Sequence, residues 1–213
     1  MNEKFFDLAR EKQDKMINGA LEVFAKNGYK HAATDDMVKA VGISKGLWFH
    51  YFGSKEGIYT FVYDYSVKYM LLELSTVVDE SVTDYFEMVR QIEQARARVR
   101  KNYPYLSDFL RAAECESDET MVQKTAAARQ IYQERMDGLL KGAEIENIPD
   151  RARRERIKKM LAYSIEGIAR EKRGADSDAV FREIKAYIDL VRDLTQGAHK
   201  QTAAANKILP NIY

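Results

Sequence analysis

The sequence predicts an all-α protein of about nine helices. Apolar residues recur at steps of three and four through successive segments, the signature of helices with one buried face. Proline stands only at Pro104, Pro149 and Pro210, so long stretches are free of helix breakers. No strand-like alternation of apolar and polar residues lasts more than a few positions.

A first helix is expected over about residues 5–26, with Ile17, Ala20, Leu21 and Phe24 as its core stripe. Asn27-Gly28 supplies its stop. A short helix follows from about Thr34 to Val41, carrying Met37, Val38 and Val41 on one face and Thr34 as its cap. Gly42 ends it where a left-handed residue is needed. Ser44 then caps a second short helix, in which Trp48 and Phe52, four apart, form the buried side. Two short helices joined by a glycine-containing turn make a helix-turn-helix, whose second helix enters the DNA major groove.

From about Lys55 to Val78 a longer helix carries Ile58, Val62, Tyr65, Tyr69, Leu72 and Thr76. At 1.5 Å per residue it is roughly 35 Å long, enough to join two domains rigidly. Further helices are expected at about 82–102, 105–115, 119–142, 150–172 and 177–199. Pro104, Ser117-Asp118, Pro149 and the stretch Gly174 to Asp178 punctuate them. The organisation read from this is a three-helix helix-turn-helix domain over 1–54, a helical bundle over 55–200 for ligand binding and dimerisation, and a loosely held tail over 201–213.

Specific wording strengthens the motif. From Ile17 the chain reads I-x-x-A-L-x-x-F-x-x-x-G-Y, and later G-I-S-K-G-L-W-F-H-Y-F-G-S-K-E. This resembles the DNA-binding domain of the TetR family of bacterial transcriptional regulators over roughly residues 10–70, with the motif itself at about 33–52. The resemblance implies that Lys45, Gly46, Leu47 and His50 approach base edges. It implies that Phe49, Tyr51 and Lys55 contact phosphates. Chemistry agrees: Lys45 can donate to guanine O6 and N7, and Leu47 can cover a thymine methyl. Thr34 can present its hydroxyl and first-turn amides to a phosphate, with Ser44 opening the recognition helix. The sequence departs from the family at Ala32 and Ala33, often threonine there, at Phe49, usually tyrosine, and at Trp48, usually leucine or isoleucine.

Charge sets the scale of this surface. The whole chain balances 34 Lys+Arg against 33 Asp+Glu, which excludes a wholesale polyanion binder. From Met37 to Lys55, however, no acid occurs, so a purely basic groove face is expected. A single cysteine, Cys115, permits no internal disulfide and suits a reducing cytoplasm. The opening residues lack a signal-peptide core, and no apolar run would span a membrane, so a soluble cytoplasmic protein is expected.

No catalytic constellation, phosphate-binding loop or metal-ligand spacing stands out; His31, His50 and His199 are scattered. Neither an enzyme nor a cofactor is expected. The resemblance implies instead a small-molecule pocket, for which Tyr65, Tyr69, Phe86, Met88, Phe109, Met121 and Tyr132 supply flat and pliable surface. It also implies a homodimer through the last two helices, where Ile157, Leu161, Ile165, Ile168, Phe181, Ile184, Ile188, Val191 and Leu194 form stripes. The expected partners are a near-palindromic operator and a small apolar or aromatic effector that releases the repressor. The alternatives are an architectural DNA-binding protein without ligand response and a helical enzyme.

Overall fold

The computed structural model describes residues 3–146 and 148–206, with 196–206 as backbone only. Among these residues it is all-α: a 3₁₀ turn at Glu3–Phe5 and nine helices. They are α1 (Arg10–His31), α2 (Thr34–Val41), α3 (Lys45–Phe52), α4 (Lys55–Val77), α5 (Tyr85–Asn102), α6 (Leu106–Glu114), α7 (Glu119–Lys141), α8 (Arg151–Glu171) and α9 (Ser177–Asn206). The chain forms two compact units. One comprises the chain to Val77 with Ala95–Asp137; the other comprises Val78–Gln94 with the chain from Gly138 onward. The domain boundary expected near residue 55 therefore falls within the first unit.

In the first unit α1 packs against α2, α4 and α6. Its expected stripe, Ile17, Ala20, Leu21 and Phe24, is fully buried. Phe24 reaches Tyr59 of α4 at 5.0 Å and Phe109 of α6 at 6.0 Å, and Tyr59 meets Phe109 edge-on at 5.3 Å. The helix starts later than expected because Phe5 lies in the preceding turn. There its ring plugs the core against Phe52 and Phe61, both at 5.2 Å. At the other end Gly28 does break the helix, with φ 66° and ψ 179°, a region open chiefly to glycine. A last helical turn then resumes to His31. Glu116 accepts a hydrogen bond from the Tyr29 amide at 3.0 Å, satisfying a donor the break exposes.

Along α4 the buried face is Ile58, Tyr59, Val62, Tyr63, Ser66, Val67, Met70 and Leu74. Leu72 and Thr76, expected on the stripe, point to solvent. The buried face steps by four, through 58, 62, 66, 70 and 74, and so winds around the helix, whereas the expected series alternates steps of four and three and parts from it after Val62.

In the second unit α8 lies along α9, and Leu161, Ile165, Ile168, Val180, Ile184, Ile188 and Val191 are buried. Asp150 caps α8, its carboxylate accepting from the Ala152 amide at 2.9 Å. Arg192 pairs with Asp84 and sits over the Phe86 ring, and Tyr85 donates its amide to the Glu144 carbonyl at 3.0 Å. Helix α9 continues to Asn206, past the expected start of the tail at 201; residues 207–213 lie outside the described residues.

Candidate DNA-binding interface

The turn between α2 and α3 forms as its residues dictate. Gly42 adopts the left-handed conformation, φ 75°, and donates its amide to the Val38 carbonyl at 2.9 Å. Ser44 caps α3, its hydroxyl accepting from the Leu47 amide at 3.2 Å. Thr34, expected as the cap of α2, is instead its first helical residue. Ala33 holds the cap position and has no side chain able to accept. The first-turn amides of α2 thus lack a side-chain cap.

Within α3 the apolar bulk faces inward. Trp48 is fully buried and Phe52 nearly so, with ring centroids 5.4 Å apart. The Trp48 indole N–H has no hydrogen-bond partner among the described residues, consistent with a wholly apolar setting. Lys45, Gly46 and His50 are exposed, and Leu47 and Phe49 are half-buried. Tyr51 is a correction to the expected phosphate contacts. Three residues beyond Trp48, it lies on the inner side of the helix, buried beside Phe5 at 6.0 Å. Lys55 is half-buried; its ammonium lies 4.7 Å over the Tyr29 ring and donates to the Lys30 carbonyl at 3.3 Å.

The face is also not purely basic. Asp35, in the first turn of α2, stands 2.8 Å from the Lys45 ammonium, with both side chains well exposed. Sequence distance hid this pair, since the nine residues between them are acid-free only from Met37.

A polar cluster that the sequence did not signal joins α1, α4 and the end of α5. Tyr103 donates to Asp14 Oδ1 at 2.5 Å and shares a 2.5 Å hydrogen bond with Tyr65. Arg10 donates to both phenols, at 3.2 and 3.3 Å. Tyr69 accepts from Asn102 at 2.9 Å, and Asn18 donates to the Asn102 carbonyl at 3.0 Å. Burial, then the bond to Asp14 and the bond to Tyr65, push the Tyr103 phenol well above its ordinary value. Nearer the surface, Lys124 of α7 pairs with Glu56 of α4.

The residues expected to line a ligand pocket divide between the units. Phe86 and Met88 are buried in the second unit; Phe109 and Met121 are buried in the first, with Tyr132 nearly so. Tyr65 and Tyr69 belong to the polar cluster just described.

The expected dimer stripe requires a correction too. Leu161, Ile165, Ile168, Ile184, Ile188 and Val191 are buried within the second unit itself, where α8 meets α9. Ile157 and Phe181 are half-buried, and only Leu194 is openly exposed. The large apolar side chains left open on these two helices are Met160 and Tyr163 on α8, with Tyr187, Leu190 and Leu194 on α9, of which only Leu194 was in the expected stripe. A shallow groove of about 550 Å³ runs over Arg156, Lys159, Met160, Tyr163 and Ser164. Spacing could have found the α9 set, since 187, 190 and 194 step by three and four beside the buried stripe. Among the described residues no cluster of three or more His, Cys, Asp or Glu could hold a metal, and no helix is long and apolar enough to cross a membrane.

Fold and surface together define a helix-turn-helix protein with a larger helical body. Residues 16–60 match the model of the family described as bacterial regulatory proteins, tetR family. The biofilm operon icaADBC HTH-type negative transcriptional regulator IcaR of Staphylococcus aureus is 29% identical over 98 residues, covering 41% of this chain and 50% of that protein. The chain thus spans about half the length of the curated relatives it matches. Among solved structures, a TetR family transcriptional regulator from Chloroflexus aurantiacus shares the fold at a TM-score of 0.60, with 19% identity over 92% of this chain and 97% of that one. PfmR from Thermus thermophilus shares it at 0.51, with 22% identity over 83% of this chain and 96% of that one. Over residues 16–60 the chain is thus similar to the tetR family of bacterial regulatory proteins, and over most of its length it shares the fold of such regulators.

Proposed function

We propose that this protein is a sequence-specific DNA-binding transcriptional repressor, dimeric and cytoplasmic, and not an enzyme. The observation that carries the reading is the division of α3. Its tryptophan, Tyr51 and Phe52 are buried, while Lys45, Gly46 and His50 stand outside on a helix of eight residues. A short helix so arranged offers donors and one bare backbone position to a groove. Leu47 adds an apolar contact for a thymine methyl, and Thr34, Ser44, Phe49 and Lys55 flank them as backbone contacts, while Tyr51 acts through packing. Repression is the sign favoured, because the relative from Staphylococcus aureus is a negative transcriptional regulator.

Dimerisation would use the exposed set Met160, Tyr163, Tyr187, Leu190 and Leu194. Five large apolar side chains on one helix pair form a patch that monomers seldom leave open. Two-fold pairing through it calls for a near-palindromic operator. A helical body this large exceeds what DNA contact needs, which supports a response to a small apolar effector held in an aromatic- and methionine-rich core.

Gel shifts against operator DNA from the promoter region upstream of its own gene test the reading at several salt concentrations. Lys45→Ala is expected to weaken binding and relax base choice by about 1–3 kcal/mol. Lys55→Ala is expected to weaken all sequences alike and flatten the salt dependence. Neither change in either variant would mean that this face does not hold DNA.

A further inference from the structure

The ion pair between Asp35 and Lys45 is out of place on a surface meant for phosphates. A carboxylate there repels the DNA backbone, and an exposed pair adds little to folding stability. Asp35 does suit the first turn of α2 as a helix-terminal acid, but Asp36 beside it meets that need alone. What the pair offers is a donor and an acceptor held side by side, Lys45 Nζ and Asp35 Oδ1, 2.8 Å apart.

We propose that Asp35 is a specificity-determining residue, and that Asp35 and Lys45 together read one G·C base pair in each half-site. The inference rests on the DNA-binding reading above. In the major groove guanine shows N7 and O6 as acceptors, and cytosine shows its N4 amino group as a donor. O6 and N4 are hydrogen-bonded to each other across the pair, roughly 2.9 Å apart. That spacing matches the ammonium–carboxylate distance, so Lys45 donates to O6 and N7 while the Asp35 carboxylate accepts from N4. The ammonium, the carboxylate and all three base atoms then have partners, and the Asp35 charge is neutralised by its own lysine rather than facing a phosphate.

An A·T pair is a poorer fit. It also sets a donor beside an acceptor, N6 and O4, but the Lys45 ammonium would have one acceptor instead of two and would meet the thymine methyl. Neighbouring residues do not supply the missing acceptor. Gly46, the next residue, has no side chain to offer one.

Selection of bound sites from a randomised duplex pool, run in parallel for the wild-type chain, Asp35→Ala and Lys45→Ala, tests this. The wild type is expected to enrich G·C at one position of each half-site. With Asp35→Ala, discrimination at that position alone is expected to fall about tenfold or more, while the other positions keep their preference. Both side chains are exposed, and thermal melting checks that each variant is folded. If Asp35→Ala binds every sequence more tightly with its preferences unchanged, Asp35 acts only by repelling phosphate and the proposal is wrong. Enrichment of A·T at the position affected by both variants would overturn it as well. A wild-type chain that selects no sequence at all would overturn the DNA-binding reading itself, a distinguishable result.

Discussion

Helix α3 and the pair α8–α9 are both amphipathic, yet they leave opposite surfaces to solvent. In α3 the large apolar side chains are on the inside, and the outer face shows a lysine, a glycine and a histidine. In α8–α9 the inner faces are equally well buried, but the outer faces still carry Tyr163, 70% exposed, and Leu194, 63% exposed. A polar outer face finds its best partner in water or a polyanion, whereas an apolar one gains by being covered. One chain thus carries one surface suited to nucleic acid and another suited to protein. The expected effects below break that contrast, from the largest to the smallest.

The inner side of α3 should be the most sensitive. Trp48→Ala is expected to destabilise the protein by roughly 3–5 kcal/mol, the range for truncating a large buried aromatic. Chemical denaturation measures it. The single tryptophan reports directly: its emission should be blue-shifted in the native protein and should move red on unfolding. A red, freely quenched native emission would contradict the buried placement.

On the outer face of α9, Leu190→Asp should leave the folded subunit nearly unchanged, because Leu190 is already about half exposed. Its effect should fall on association. A dissociation constant raised about a hundredfold corresponds to about 2.7 kcal/mol. If the proposed dimer forms, sedimentation should show monomers of the variant where the parent associates, with the melting temperature at high dilution unaltered. A parent chain that is monomeric at micromolar concentration removes the role assigned to this surface.

The polar cluster in the first unit should give a smaller effect than either. Tyr103→Phe removes one phenol from contact with Asp14, Tyr65 and Arg10, and a loss of about 1–2 kcal/mol is expected. A pH dependence follows from the same group. Folding raises the Tyr103 phenol above the roughly 10 of an unfolded tyrosine, and burial pushes Tyr85 up to about 12. A raised value means that the folded state holds the proton more tightly. The contribution is therefore present in full below pH ~10 and is lost as the pH climbs from there through the folded values. Alkaline titration followed at the phenolate absorbance should show these tyrosines ionising later than the exposed ones, and Tyr103→Phe should shrink the late fraction.

The fold was legible because helices announce themselves locally. The apolar periodicity and the punctuation by Gly42, Ser44, Pro104 and Pro149 are properties of neighbouring residues, and most helix bounds fell within three residues of expectation. The larger differences have physical causes that a local pattern does not contain. Phe5 lies in a turn because its ring is needed by Phe52 and Phe61, which are distant in sequence. Leu161 and Ile188 are spaced like an interface between copies, but the same spacing suits α8 against α9. Periodicity reports that a face is buried; it does not report by what. The Asp35–Lys45 pair and the Arg10, Asp14, Tyr65 and Tyr103 cluster were illegible for the same reason, since charge complementarity across a fold leaves no periodic trace.

The smallest effect concerns how the outer face of α3 is held in position. Ser44→Ala removes the hydroxyl that accepts from the Leu47 amide and leaves a first-turn donor of α3 without a side-chain partner. A loss of about 1 kcal/mol is expected, as for other N-cap deletions. Restoration should follow the capping series: Ser44→Asp should recover most of the stability, and Ser44→Gly should lose only a few tenths of a kcal/mol. DNA binding should discriminate between these rescues. Aspartate restores the cap but adds a negative charge one residue before Lys45, so operator affinity should fall while the melting temperature recovers. Glycine should lower both only slightly. If the aspartate variant binds DNA as tightly as the parent across a salt series, the start of α3 lies away from the phosphates, and the contrast between a polar face for nucleic acid and an apolar face for protein loses its first half.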